Sequence, residues 1–275
     1  MLVKISRACA NLLWKLWYPF LTRISANSPV TFLNYGYAEN GTRESLPLLK
    51  EQDEPDRPCI QLYQRVVSAV DLRGLDVLEV SCGHGGGAAY IAGYMKPRSM
   101  HAVDRNARAI QLCKRRHRKD GLTFSRGNAL ALDFSDSTFD AVINIEASHC
   151  YTNVPRFFSE VRRVLRPGGH FLYADFRYSD PDRAVLHGQL EASGLEVLSC
   201  EDISQPVVRG MQLNTEKYAE LIRRLIPKLL RKPAMAFAGV KGSAIYRALE
   251  SGETVYLCCH LRKSGSLDYG KSHSL

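Results

Sequence analysis

No CxxC pair occurs anywhere in the 275 residues, so neither a zinc ribbon nor a thioredoxin-type redox pair can be argued. No internal repeat or low-complexity tract interrupts the chain, which sets aside solenoids and long linkers. No span of ~20 apolar residues is free of charge, so there is no candidate transmembrane helix. The N-terminal "MLVKISRACANLLWKLWYPFLTRISA" is apolar but carries Lys4, Arg7, Lys15 and Arg23. It also lacks the compact apolar core and small-residue cleavage site of a signal peptide. An NPPY-type signature for acting on a flipped base is absent as well.

What is present is an ordinary globular composition, 45% hydrophobic and 24% charged, with a formal charge of +9. A charge of that sign suits an acidic substrate, an anionic lipid surface, a nucleic acid, or simply a well-solvated exterior. The length supports one well-filled core, with or without a substantial insertion. The eight cysteines are Cys9, Cys59, Cys82, Cys113, Cys150, Cys200, Cys258 and Cys259. Most lie in apolar runs where a reduced thiol packs as a small hydrophobe. The expectation is reduced thiols, no bound metal and a cytoplasmic protein.

In the N-terminal stretch, Leu12, Leu13, Leu16, Trp17 and Phe20 fall at helical spacing, ending at or just before Pro19 in "WYP". Such a basic amphipathic helix can lie in a membrane interface. The preferred reading is a cap on the domain's own core or substrate cavity.

Strand and helix patterns then alternate. "LDVLEVS" (75–81), "SMHAVD" (99–104), "LTFSRG" (122–127), "FDAVINI" (139–145) and "GHFLYADF" (169–176) read as strands. "AAYIAGYM", "NARAIQLCKRRHR" and "PRFFSEVRRVLR" read as the helices between them. The nearly continuous apolar runs suit parallel strands covered on both faces, and the βαβ rhythm predicts a doubly wound α/β sheet. "LEVLSCEDI" (195–203) and "ETVYLCCHLR" (253–262) read as the last two strands. A mainly helical insertion at 205–250 separates them, and the tail from 264 to 275 reads as disordered. The expected segments are a cap at 1–55, a core at 56–204, the insertion, and a final core strand at 251–263.

"VLEVSCGHGGG" (77–87) places glycines between the first strand and the first helix, where backbone can approach a ligand closely. Asp104 ends the next strand, where a carboxylate can accept hydrogen bonds from both hydroxyls of a ribose. A nucleotide-like cofactor follows from these two features. The glycine spacing does not match GxGxxG, and the run continues into Ala88 and Ala89 instead of GK[ST].

The stretch instead resembles the hh(D/E)hGxGxG signature of class I S-adenosylmethionine-dependent methyltransferases. "VD" at 103–104, "GNALALDF" at 127–134 and "RRVLRPGGHFLYADF" at 162–176 continue the likeness over residues 60 to 180. The resemblance implies a seven-stranded Rossmann-like sheet and S-adenosylmethionine as cofactor. It implies that Glu79 holds the cofactor's amino group and that the Gly83 and Gly85 backbones face its methionine part. By the same likeness Asp104 binds the ribose hydroxyls, Arg105 flanks the adenine, Asn128 and Ala129 meet the adenine's polar edge, and Ile145 belongs to the cofactor cleft. Ser81 in place of the usual first glycine and Asn128 in place of a frequent aspartate are departures from the pattern.

"EVSCGHGGG", "EASHCY" and "FLNYGYAE" together resemble, more narrowly, the mycobacterial-type phthiotriol and phenolphthiotriol dimycocerosates O-methyltransferases and related fatty-acid O-methyltransferases. That likeness implies a small hydrophobic lipid or polyketide-type acceptor. The region also resembles small-molecule sugar and polyketide O-methyltransferases, and that likeness implies His149 as general base and Asp175 as its orienting partner, with Glu146 as a second candidate, either against the cofactor or in place of Asp175. His84 faces the cofactor's methionine part and is expected to have no catalytic role. A fatty-acid carboxylate, a sterol-type carbon and RNA remain alternative acceptors, as does a non-enzymatic binding module. "CKRRHRK" (113–119) reads as the solvated face of a helix, so nucleic acid is the lesser expectation.

Overall fold

The computed structural model describes residues 30–39, 48–178 and 180–265. The expected amphipathic helix before residue 26 and the tail from 266 onward lie outside the described residues.

Seven strands form one sheet in the order β3-β2-β1-β4-β5-β7-β6. They are β1 (Asp76–Val80), β2 (Ser99–Asp104), β3 (Leu122–Arg126), β4 (Phe139–Ile145), β5 (Leu165–Arg177), β6 (Glu196–Asp202) and β7 (Val255–Arg262). Alternation of apolar side chains on both faces explains why the central strands are buried throughout. Val77, Ala141 and Ile143 enter one core, and Leu78, Val80 and Val142 enter the other. The first core packs under α1 (Arg57–Val67), α2 (Gly86–Tyr94) and α3 (Ala107–Arg116). The second packs under α4 (Val154–Val164) and α5 (Asp180–Glu191).

Between β6 and β7 the chain forms α6 (Ser204–Leu225), α7 (Arg231–Phe237) and α8 (Ala244–Ser251). The base of α6 is anchored by Val207, Val208 and Met211 in the first core, while its distal end stands away from the sheet with Ile222 in a small cluster of its own.

Of the last two strands, only β7 runs against the others, pairing antiparallel with both β5 and β6; β6 therefore runs with the rest. The "RPGG" segment is not a turn before β5 but an interruption inside it. Partners on β4 step from Phe139↔Leu165 to Ala141↔His170, and Gly168 takes φ 79° within that bulge.

The cysteines also differ from expectation. Cys200 and Cys259 are bonded to each other across β6 and β7, with Cα atoms 3.9 Å apart. Their 59-residue separation hides a pairing that only strand register creates. The other described cysteines are free. No helix among the described residues is long and apolar enough to cross a membrane.

Candidate active site

The sheet order reverses between β1 and β4, and a doubly wound sheet opens a crevice at the carboxyl ends of its strands at that point. Glu79, Asp104, Ile145 and the segment carrying His149 all lie at these ends.

On the β1–β2 side, Glu79 is buried, and its Oε1 accepts a 2.6 Å hydrogen bond from the Tyr63 hydroxyl of α1. Its Oε2 is buried with no hydrogen-bond partner. Burial pushes the carboxyl up to about 7, against the Tyr63 hydrogen bond and with help from the nearby Asp104 charge. A half-satisfied buried carboxylate is costly, and a cationic group is the partner that would relieve it.

Asp104 accepts from the Gly83 amide (3.0 Å) and from the Asn106 amide (2.8 Å), so its carboxylate is held across the mouth of the glycine turn. Arg105 is exposed. Asn128 closes its own turn, its Oδ1 accepting from Leu130 N at 3.1 Å, and Ala129 is buried beside it.

The glycines are bare chiefly for the protein's own packing. A Cβ on Gly87 would lie 1.9 Å from the Tyr63 ring, and one on Gly86 would lie 2.7 Å from the Thr31 carbonyl. Gly85 takes φ 81°, and its Cβ would meet Cys113, Phe124 and His117. The amides of the turn are also in use: Gly83 donates to Asp104, Gly85 to Cys82 O, and Gly86 to Thr31 O. Close helix–strand contact, more than ligand approach, demands this composition.

Ser81 adopts φ 65°, the left-handed conformation for which the related signature uses glycine. Its hydroxyl bonds the Tyr151 hydroxyl at 2.6 Å, which offsets part of the strain. His84 is buried, with Nδ1 3.2 Å from the Val30 carbonyl, and burial lowers it to about 4. It fastens the Val30 end of the 30–39 segment.

On the β4–β5 side, a 3-10 turn over Ser148–Cys150 follows β4 and presents His149 to Asp175. His149 Nδ1 is 2.7 Å from Asp175 Oδ1, and the His149 amide donates to Asp175 Oδ2 at 2.8 Å. The imidazole lies against the Phe176 ring, with centroids 4.2 Å apart. Burial opposes protonation of His149, but the Asp175 charge outweighs it and lifts the imidazole to about 10. Asp175 itself is held below the usual carboxylate range. Its burial works the other way and is overcome by His149 and by Arg177, whose Nη1 is 3.2 Å from Oδ2.

Ser148 Oγ donates to Asp175 at 2.6 Å, and Arg177 Nη2 donates to Ser148 Oγ and to the Tyr173 hydroxyl. The aspartate is thus fully partnered and rigid. Arg177 and Ser148 were not anticipated from sequence. Arg177 stands two residues beyond Asp175, hence on the same strand face, and that spacing was the available signal.

Glu146 takes φ 49° and accepts from the Tyr35 amide (2.9 Å) and the Tyr256 hydroxyl (2.8 Å). Burial raises it to about 7. It pins the 30–38 segment over the site. The partner of the His149 imidazole is Asp175. Beside this segment lies an apolar pocket between Val30, Phe32 and Leu33 on one wall and Leu221, Leu225 and Phe237 of α6 and α7 on the other. Tyr35, the next residue but one, stacks on Phe176 and so connects the pocket wall to His149.

Similarity to known proteins decides among the chemistries this crevice allows. A methyltransferase-domain family model matches residues 78–173. Phthiotriol/phenolphthiotriol dimycocerosates methyltransferase of Mycobacterium tuberculosis is 46% identical over 243 residues, covering 88% of this chain and 89% of that protein. The chain belongs to this methyltransferase family. Fatty-acid O-methyltransferase of Mycolicibacterium smegmatis is 41% identical over 244 residues, covering 88% of this chain and 86% of that one. Among solved structures, the [4+2]-cyclase SpnF matches with TM-score 0.69 at 22% identity, covering 94% and 96% of the two chains. A cyclase neighbour shows that the fold alone does not settle the reaction; the close relatives do. This methyltransferase uses S-adenosylmethionine.

Proposed function

We propose that the protein transfers a methyl group to a hydroxyl of a hydrophobic lipid or polyketide-type acceptor, with His149 as general base. The observation that carries this reading is the 2.7 Å contact of His149 Nδ1 with Asp175, which Phe176 and Tyr35 link to the wall of an apolar pocket. A carboxylate accepting from Nδ1–H fixes the tautomer and leaves Nε2 as the proton acceptor. Asp175 acts through His149 and is the orienting residue.

For the cofactor, the free Oε2 of Glu79 suits an ammonium group, and Asp104 suits a pair of ribose hydroxyls. Gly83 and Gly85 would border the methionine part, Arg105, Asn128 and Ala129 the adenine, and Ile145 the apolar wall. Bound S-adenosylmethionine supplies an electrophilic methyl on a sulfonium. The chain's own contribution is to align the acceptor oxygen, exclude water and take one proton.

The raised His149 favours a second reading, in which an imidazolium holds a fatty-acid carboxylate that needs no base. The two differ in sign with pH. Only neutral imidazole can take a proton, so with an alcohol kcat/KM should climb roughly tenfold per pH unit until about 10. With a carboxylate held by the cation, kcat/KM should be flat below that value and fall above it. Measuring methylated product from a long-chain secondary alcohol and a long-chain fatty acid between about pH 6.5 and 10.5 separates them. A flat profile with the alcohol would overturn the base assignment.

A further inference from the structure

The positive charge of this protein is not spread over its surface. Residues 105–119 hold seven Lys or Arg and no Asp or Glu, and residues 221–249 do the same. Outside these two segments acidic residues outnumber basic ones by five, so the basic character of the chain resides entirely in them.

The fold brings both to the apolar pocket. On one side, Arg116 Nη1 donates to the Val30 carbonyl at 2.8 Å, which ties the basic end of α3, with exposed Lys114, Arg115, Arg118 and Lys119, to the pocket's Val30 edge. On the other side, Arg223, Arg224, Lys228 and Lys232 are exposed around the distal end of α6 and the start of α7, whose Leu225 and Ala234 line the same pocket. Flanked in sequence by Lys228 and by Arg231 and Lys232, Leu229 lies in a 3-10 turn after Pro227, 89% exposed.

We propose that this face docks on an anionic lipid bilayer, with Leu229 entering the interface. A bare leucine flanked in sequence by cations gains from acyl burial and from headgroup charge together, and neither gain is available in water. Single-stranded nucleic acid would be met by aromatic side chains among the cations, and residues 221–232 contain none. The proposal deepens the reading of a lipid-type acceptor, since a pocket that opens at the bilayer receives its chain without passage through water.

The test uses the full-length chain in sedimentation with phosphatidylglycerol–phosphatidylcholine vesicles and with phosphatidylcholine vesicles alone. Binding should require the anionic lipid and weaken steeply as salt is raised to about 0.5 M. Each Lys or Arg near such a surface strengthens binding roughly fivefold. The variant Arg224→Glu/Lys228→Glu/Lys232→Glu should therefore bind at least about a hundredfold more weakly. Leu229→Ser should weaken binding several-fold while keeping its salt dependence. All four side chains are exposed and none lines the pocket, so turnover of detergent-dispersed acceptor should persist. Wild-type binding by the triple variant, equal binding to neutral vesicles, or capture of single-stranded RNA in preference to vesicles overturns the proposal. Vesicle binding needs no turnover. If the lipid-acceptor reading alone is wrong, vesicles are still bound but dispersed lipids are not methylated.

Discussion

The two halves of the crevice are built differently. On the side proposed to hold the cofactor, Glu79, Gly83, Asp104 and Asn128 come from fifty consecutive residues in strand–turn–helix units. On the side proposed to take the acceptor, the Asp175 network joins residues across β4 and β5, while Tyr35 reaches Glu146 from 111 positions away and the pocket adds α6 and α7. One half is a local motif whose geometry the backbone largely dictates. The other is an assembly whose members have no reason to meet until the sheet forms. A family can thus keep one cofactor while changing what it methylates.

The sharpest way to break this division is on the acceptor side. His149→Ala should lower the rate with an alcohol by about 100- to 10,000-fold while leaving cofactor affinity unchanged, measured by single-turnover kinetics and calorimetry. Asp175→Asn combined with it should cost far less than the product of the two, because the residues act as one unit. A His149→Ala enzyme within about tenfold of wild type would place the chemistry elsewhere.

Asp104→Ala probes the other half. It should weaken S-adenosylmethionine binding by about 1.5–3 kcal/mol by calorimetry, since charge-assisted bonds to two hydroxyls are lost. It also frees the Gly83 amide, so unchanged affinity would mean that the ribose is held by other groups.

Gly87→Ala tests whether the glycine run serves packing. With a Cβ driven into the Tyr63 ring, denaturant unfolding should show a loss of roughly 1–3 kcal/mol. Wild-type stability would return that glycine to the ligand-approach explanation. Ser81→Gly should be the mildest change. Relief of a left-handed backbone and loss of one hydrogen bond to Tyr151 roughly cancel, leaving stability within about 0.5 kcal/mol.

Strand and helix periodicity, the βαβ order and the acidic ends of β1 and β2 were all legible before folding, and the His149–Asp175 pairing was legible only through family likeness. Each depends on a short apolar rhythm or on a family motif carried by contiguous residues. Other features were hidden. Cys200 meets Cys259 only because β7 runs antiparallel beside β6, and Arg177 earns its place only once Ser148 and Tyr173 surround it. His84 is fixed to Val30, and the two basic segments flank one pocket, through contacts that close loops of 54 and 86 residues. Periodicity determines which face of an element is apolar. It cannot say which distant element will cover that face, because the choice is made by strand order and side-chain packing over the whole sheet.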